Sequence, residues 1–77
     1  MTIPQTVFTK YGYHFTFEDN KSGEPVSEGD TVRSARGKKG TFEGIGRLGR
    51  LGDPKVIVDG AEYNANVWGL TPHRAEE

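Results

Sequence analysis

Thr6-Val7-Phe8-Thr9-Lys10-Tyr11-Gly12-Tyr13-His14-Phe15-Thr16-Phe17-Glu18 is the stretch that decides the fold class. β-Branched and aromatic residues dominate it, and such side chains suit a pleated surface. Tyr11, Tyr13, Phe15 and Phe17 recur at every second position, so an extended chain carries all four on one face. Gly12, His14 and Thr16 then fall on the other face. Val7-Phe8 reads as an earlier strand or as the beginning of the same one. No part of the chain repeats apolar residues at i, i+3, i+4 and i+7 over three turns. Glycines interrupt nearly every window long enough for a helix, each costing about 1 kcal/mol relative to alanine.

Outward from this strand, turn chemistry alternates with short apolar runs. Asp19-Asn20-Lys21-Ser22-Gly23-Glu24-Pro25 is dense in turn residues and reads as a loop. Thr31–Ala35 reads as a short strand, Arg36–Gly40 as a turn, and Thr41–Gly46 as the returning strand. Arg47–Pro54 is expected to form a loop or an extended hairpin tip, and Lys55–Asp59 another strand. Asp59-Gly60 is a tight-turn dipeptide. Several short strands between turn signals point to an all-β barrel or sandwich, and closure into a barrel removes exposed sheet edges. Residues 1–5 are expected to be a loose start, 6–72 a single domain, and 73–77 a polar, fraying tail.

At 77 residues the chain suits one domain, burying about 60% of the surface its unfolded form exposes. Only 32% of residues are apolar, so the aromatics are needed inside: most of the Tyr11–Phe17 face is expected in the core, with one or two tyrosines reaching water. Cysteine is absent, which removes disulfides and thiolate metal ligands and fits a cytoplasmic protein. No run approaches the roughly 20 apolar residues of a membrane span, and Met1–Gln5 lacks the pattern of a signal peptide. His14 and His73 lie far apart, no metal-ligand spacing is present, and Ser22, Ser27 and Ser34 have no marked base partner. These readings leave no metal site, small-molecule cofactor or catalytic residue to expect.

Charge is arranged more tellingly than its total of −1 suggests. Between Thr31 and Arg50 stand Arg33, Arg36, Lys38, Lys39, Arg47 and Arg50 against Glu43 alone, a net of +5 that leaves −6 for the remainder. A hairpin that brought the ends of this segment together would concentrate positive charge on one side, the footprint of phosphate binding. The competing reading is a solvated Gly-rich loop or a protein contact. Tyr11, Tyr13 and Trp68 are the candidate aromatic contacts, and for Trp68 core closure beside Val67 and Leu70 is the first expectation. Gly44-Ile45-Gly46-Arg47-Leu48-Gly49 spells G-x-G-x-x-G, but the Asp53-Pro54 that follows cannot open the long helix a dinucleotide needs.

Residues 29–45, Gly-Asp-Thr-Val-Arg-Ser-Ala-Arg-Gly-Lys-Lys-Gly-Thr-Phe-Glu-Gly-Ile, resemble the opening of a KOW motif, found in ribosomal proteins and NusG-type transcription factors. Gly29-Asp30 with Val32 looks like the strand opening, Gly37 and Gly40 bracket the basic turn, and Gly44-Ile45 sits in the returning strand. Val56-Ile57-Val58 then looks like the third strand, and Val67–Pro72 like the closing segment of an SH3-like barrel. The resemblance implies a small SH3-like barrel of about five short antiparallel strands, here with an added N-terminal strand or hairpin. It also implies a non-enzymatic binding module for nucleic acid or a nucleoprotein complex. The Gly-Asp-x-Val-Arg opening is similar to that of type II dihydrofolate reductases as well. Their Val-Gln-Ile-Tyr run is replaced here by Asn66-Val67-Trp68-Gly69, so their activity does not carry over. The rival to nucleic acid binding is a protein-interaction or self-assembly module.

Overall fold

The structure, a computed structural model, describes residues 6–74. The loose start expected at 1–5 and the last three residues of the expected tail lie outside them. The described residues form eight strands and one short 3-10 helix, so the all-β class read from the sequence holds.

The first sheet is built on β2 (Tyr13–Asp19). On one side β2 pairs antiparallel with β1 (Phe8–Lys10) and then with β3 (Pro25–Val26); on the other it pairs with β8 (Leu70–Arg74). The second sheet runs β4 (Thr31–Arg33), β5 (Lys39–Leu48), β6 (Pro54–Val58), β7 (Ala61–Asn64), each antiparallel to the next. The 3-10 helix Ala65–Trp68 leads from β7 back to β8.

The Tyr11–Phe17 stretch divides as expected, phenylalanines inside and tyrosines reaching water, but Tyr11 is not on the strand. Tyr11 and Gly12 form a two-residue hairpin turn with φ of 52° and 83°, and two positive φ values in succession define the turn whose twist matches the flanking strands. The turn removes Tyr11 from the strand face and leaves it 70% exposed, with Tyr13 at 45%. Phe15 and Phe17 are buried as expected. The N-terminal hairpin is therefore β1–β2, with Phe8 opposite Phe15.

Phe8 and Phe17 of the first sheet close on Phe42 of the second, with ring centroids 5.4 and 5.5 Å away and steep interplanar angles. Edge-to-face pairs of this kind contribute about 0.5–1.5 kcal/mol each beyond the area they bury. Val26, Val32, Val56, Val58, Ala65, Trp68 and Leu70 complete the core. β5 alternates strictly for its first six residues, with Gly40, Phe42 and Gly44 inward and Lys39, Thr41 and Glu43 outward. Its register against β6 shifts between Phe42 and Gly44, where Gly44 takes a φ of 125°.

Three segments differ from the sequence reading. Arg47 and Leu48, expected in a loop, extend β5, because Leu48 pairs with Pro54. Pro25, expected to end a loop, opens a short strand in which Val26 pairs with Phe17 and Pro25 with Glu18. His73 and Arg74, expected to fray, are held by pairing with Thr16 and Phe15, and His73 Nε2 lies 2.6 Å from Glu18 Oε1. Among the described residues no helix is long and apolar enough to cross a membrane.

Candidate functional site

The β4–β5 connection positions most of the expected cations. Ser34 organises it: its hydroxyl oxygen accepts from the backbone N–H groups of Arg36 (3.2 Å) and Lys38 (3.0 Å). Its own N–H donates to the Lys38 carbonyl at 2.8 Å. A serine hydroxyl that satisfies turn N–H groups fixes the turn locally, without help from packing. Arg36 and Lys38 project from this turn, while Arg33 and Lys39 face each other across the first pair of the ladder. All four are exposed. Like charges directly opposite on a sheet repel at a cost of roughly 0.2–1 kcal/mol, which an anion seated between them removes. Among the described residues none of the four has an ion-pair partner.

The other two cations are not part of this group. β5 carries Arg47 away along its length, eight residues beyond Lys39. There Arg47 is claimed by Glu62: its backbone N–H donates to Oε2 at 2.7 Å, and its Nε to Oε1 at 3.2 Å. These contacts, the backbone N–H foremost, hold the Glu62 carboxyl below the usual glutamate range, partly opposed by desolvation. Arg50 lies in the β5–β6 loop, on the wall of a separate groove of about 690 Å³ that also includes Leu51, Lys55 and Asn66. The expectation that one hairpin gathers all six cations is thereby corrected: four gather, because the tight turn falls at residues 34–38 and the strand after it is ten residues long.

The aromatic candidates separate in the same way. Tyr11 and Tyr13 sit at the β1–β2 turn, with Lys10 Nζ 5.4 Å from the Tyr11 ring centre and the Arg74 guanidinium 4.6 Å from that of Tyr13. This end of β2 pairs with Arg74, whereas the other end pairs with Leu70, next to Gly69, which lies against the Arg33 carbonyl. Tyr11 and Tyr13 are consequently at the opposite end of the first sheet from the basic turn. Trp68, by contrast, adjoins it. The residue is 4% exposed, and its ring packs edge-on against Tyr63 at 5.5 Å. The Ala35 N–H donates to the Val67 carbonyl at 3.1 Å, tying the basic turn to the 3-10 helix.

Between that turn and that helix runs a groove of about 540 Å³, with Arg36 and Lys38 on one wall and Tyr63, Asn66, Val67 and Trp68 on the other. Sequence reasoning missed Ser34, Tyr63 and Asn66 as parts of the site. The signal for Tyr63 was present in the Asp59-Gly60 turn, which sends the next strand back toward Trp68. The G-x-G-x-x-G run lies on β5 and the loop after it, with no helix following. Comparison with protein-family models, with curated proteins and with solved structures gives no significant match to this chain.

Proposed function

We propose that this chain is a small, non-enzymatic binding module of the cytoplasm that contacts nucleic acid through its β4–β5 turn. The observation that carries the reading is the convergence of Arg33, Arg36, Lys38 and Lys39 on one turn, all exposed and without ion-pair partners among the described residues. Up to four phosphate contacts of this kind give log–log salt slopes near −2.8 for single strands and near −3.6 for duplex. The test is fluorescence anisotropy of labelled oligonucleotides from about 50 to 200 mM salt, with Arg36→Glu/Lys38→Glu as the charge-reversed control. Affinity insensitive to salt, or equal for parent and control, would rule the reading out.

A second reading, self-association, is favoured by the exposed Leu51 on the β5–β6 loop and by β7, which among the described residues has β6 as its one strand partner. It requires a molecular mass in sedimentation that rises with concentration and is abolished by Leu51→Asp.

A further inference from the structure

We infer that the groove between the β4–β5 turn and the 3-10 helix is a pocket for one unpaired nucleotide, so that the module prefers single-stranded nucleic acid. The inference rests on the nucleic-acid reading above and names the form of the ligand.

Two independent features meet in this groove. The first is charge: Arg36 and Lys38 line it, with Arg33 and Lys39 at the base of the same turn. The second is an orphaned donor. Trp68 is 4% exposed, and its Nε1 has no hydrogen-bond partner among the described residues. A buried donor without an acceptor is costly, and such groups in native folds call for an explanation. The ring points its Cη2 and Cζ3 atoms toward Gly40, so Nε1 belongs to the end of the indole away from that packing. Trp68 itself forms part of the groove wall. Less than 1 Å² of Nε1 is open to solvent, so an acceptor meets it only once the side chains that cover it move aside.

The occupant must therefore carry an anion, an apolar surface and a neutral acceptor close together. A nucleotide has all three: its phosphate suits Arg36 and Lys38, and its planar base suits Val67, which is 42% exposed, and the half-buried Tyr63. A base carbonyl or ring nitrogen supplies the acceptor for Trp68 Nε1, and the Asn66 amide can pair with the base edge. A peptide of acidic residues alone supplies carboxylates but no flat apolar face beside them. A duplex supplies phosphates, but its bases are stacked and paired and do not enter a groove of this kind. The volume of about 540 Å³ lies within the roughly 300–1,000 Å³ of small-ligand pockets.

Trp68 is the only tryptophan, so the intrinsic emission of the unmodified protein reports on this groove alone. The experiment titrates the protein with oligothymidylate of about twelve nucleotides, with a duplex of equal charge, and with polyglutamate. Oligothymidylate is expected to change the Trp68 emission, and the other two to leave it unaltered. In anisotropy, Val67→Asp is expected to weaken oligothymidylate more than tenfold while duplex affinity falls by less than threefold. Arg36→Ala/Lys38→Ala should lower the single-strand salt slope by about 1.4. Trp68→Phe, with folding checked by its melting curve, should cost about two- to tenfold in oligothymidylate affinity. Salt-dependent binding with an unchanged Trp68 emission and no effect of Val67→Asp overturns the pocket and leaves the wider reading standing. An equal emission change with polyglutamate overturns the nucleotide in favour of an acidic peptide. No binding to either nucleic acid overturns both.

Discussion

Gly40→Ala tests the packing that sets the second sheet against the 3-10 helix. Gly40 is buried on the inner face of β5, and its backbone needs no positive φ, so the case for glycine is steric. A Cβ there would lie 2.6 Å from Val58 Cγ1, 2.9 Å from Trp68 Cη2 and 3.0 Å from Trp68 Cζ3. Carbon atoms attract best at about 3.5–4.0 Å, so the new methyl overlaps two side chains at once. Val58 is fully buried and Trp68 nearly so, which leaves neither an easy retreat. Overpacking of this kind costs about 1–3 kcal/mol, while the stiffer unfolded chain returns about 0.4–1 kcal/mol. The net expectation is a loss of about 1–2 kcal/mol, or roughly 4–16 °C in Tm for a domain of this size. Urea and thermal unfolding followed by far-ultraviolet circular dichroism and by Trp68 emission measure it, with an unchanged urea slope showing that the unfolded state is unaltered. The double variant provides the sharper check. Val58→Ala alone should cost about 1–3 kcal/mol through the cavity it leaves. Combined with Gly40→Ala it should recover about 1 kcal/mol, because the methyl that clashed is gone. A Gly40→Ala melting curve that overlays the parent's, or full additivity in the double variant, would refute the reasoning.

Three further outcomes follow from the same contacts. Glu62 is held below its ordinary pKa by the backbone N–H of Arg47 and by that residue's side chain, so its ionised form favours the fold. That contribution is complete above the ordinary glutamate value and is lost as pH falls through the lower folded value; Glu62→Gln should flatten the acid limb of urea midpoints against pH, and parallel curves for the two proteins would contradict it. Asp59 stands at φ 51° in the β6–β7 turn, and its Oδ1 accepts from the Thr41 N–H at 2.9 Å. Asp59→Ala should cost about 1–2 kcal/mol, since alanine tolerates the left-handed region less well and the hydrogen bond is lost; the urea midpoint reads this directly. Ser34→Ala should reduce oligonucleotide affinity several-fold by loosening the turn that presents Arg36 and Lys38, with a stability change of about 1 kcal/mol or less; unchanged affinity would mean that the turn does not need its serine.

Strand content was legible because its signals are local. The Phe15–Phe17 alternation, the Val56–Val58 run and the Asp59-Gly60 turn each carry their meaning within a few residues, and each appears where expected. Tyr11 was misplaced because period 2 was followed through Gly12, although a glycine in the second position of a two-residue hairpin was itself the turn signal. His73 and Arg74 read as a polar tail since their order comes from β2, more than fifty residues earlier.

What the sequence by itself determined was the all-β class and the excess of cations between Thr31 and Arg50, because both depend on residue type and near-neighbour spacing. Only the tertiary structure decided which cations stand together and which aromatics lie beside them. Arg33 meets Lys39, Arg47 pairs through Nε with Glu62, and Trp68 and Tyr63 stand beside Arg36 and Lys38 in place of Tyr11 and Tyr13. The physical reason is register. A ten-residue strand separates charges that fall in one segment of the sequence, while the β6–β7 hairpin and the 3-10 helix return Trp68 to a turn some thirty residues away, and no local pattern encodes that distance.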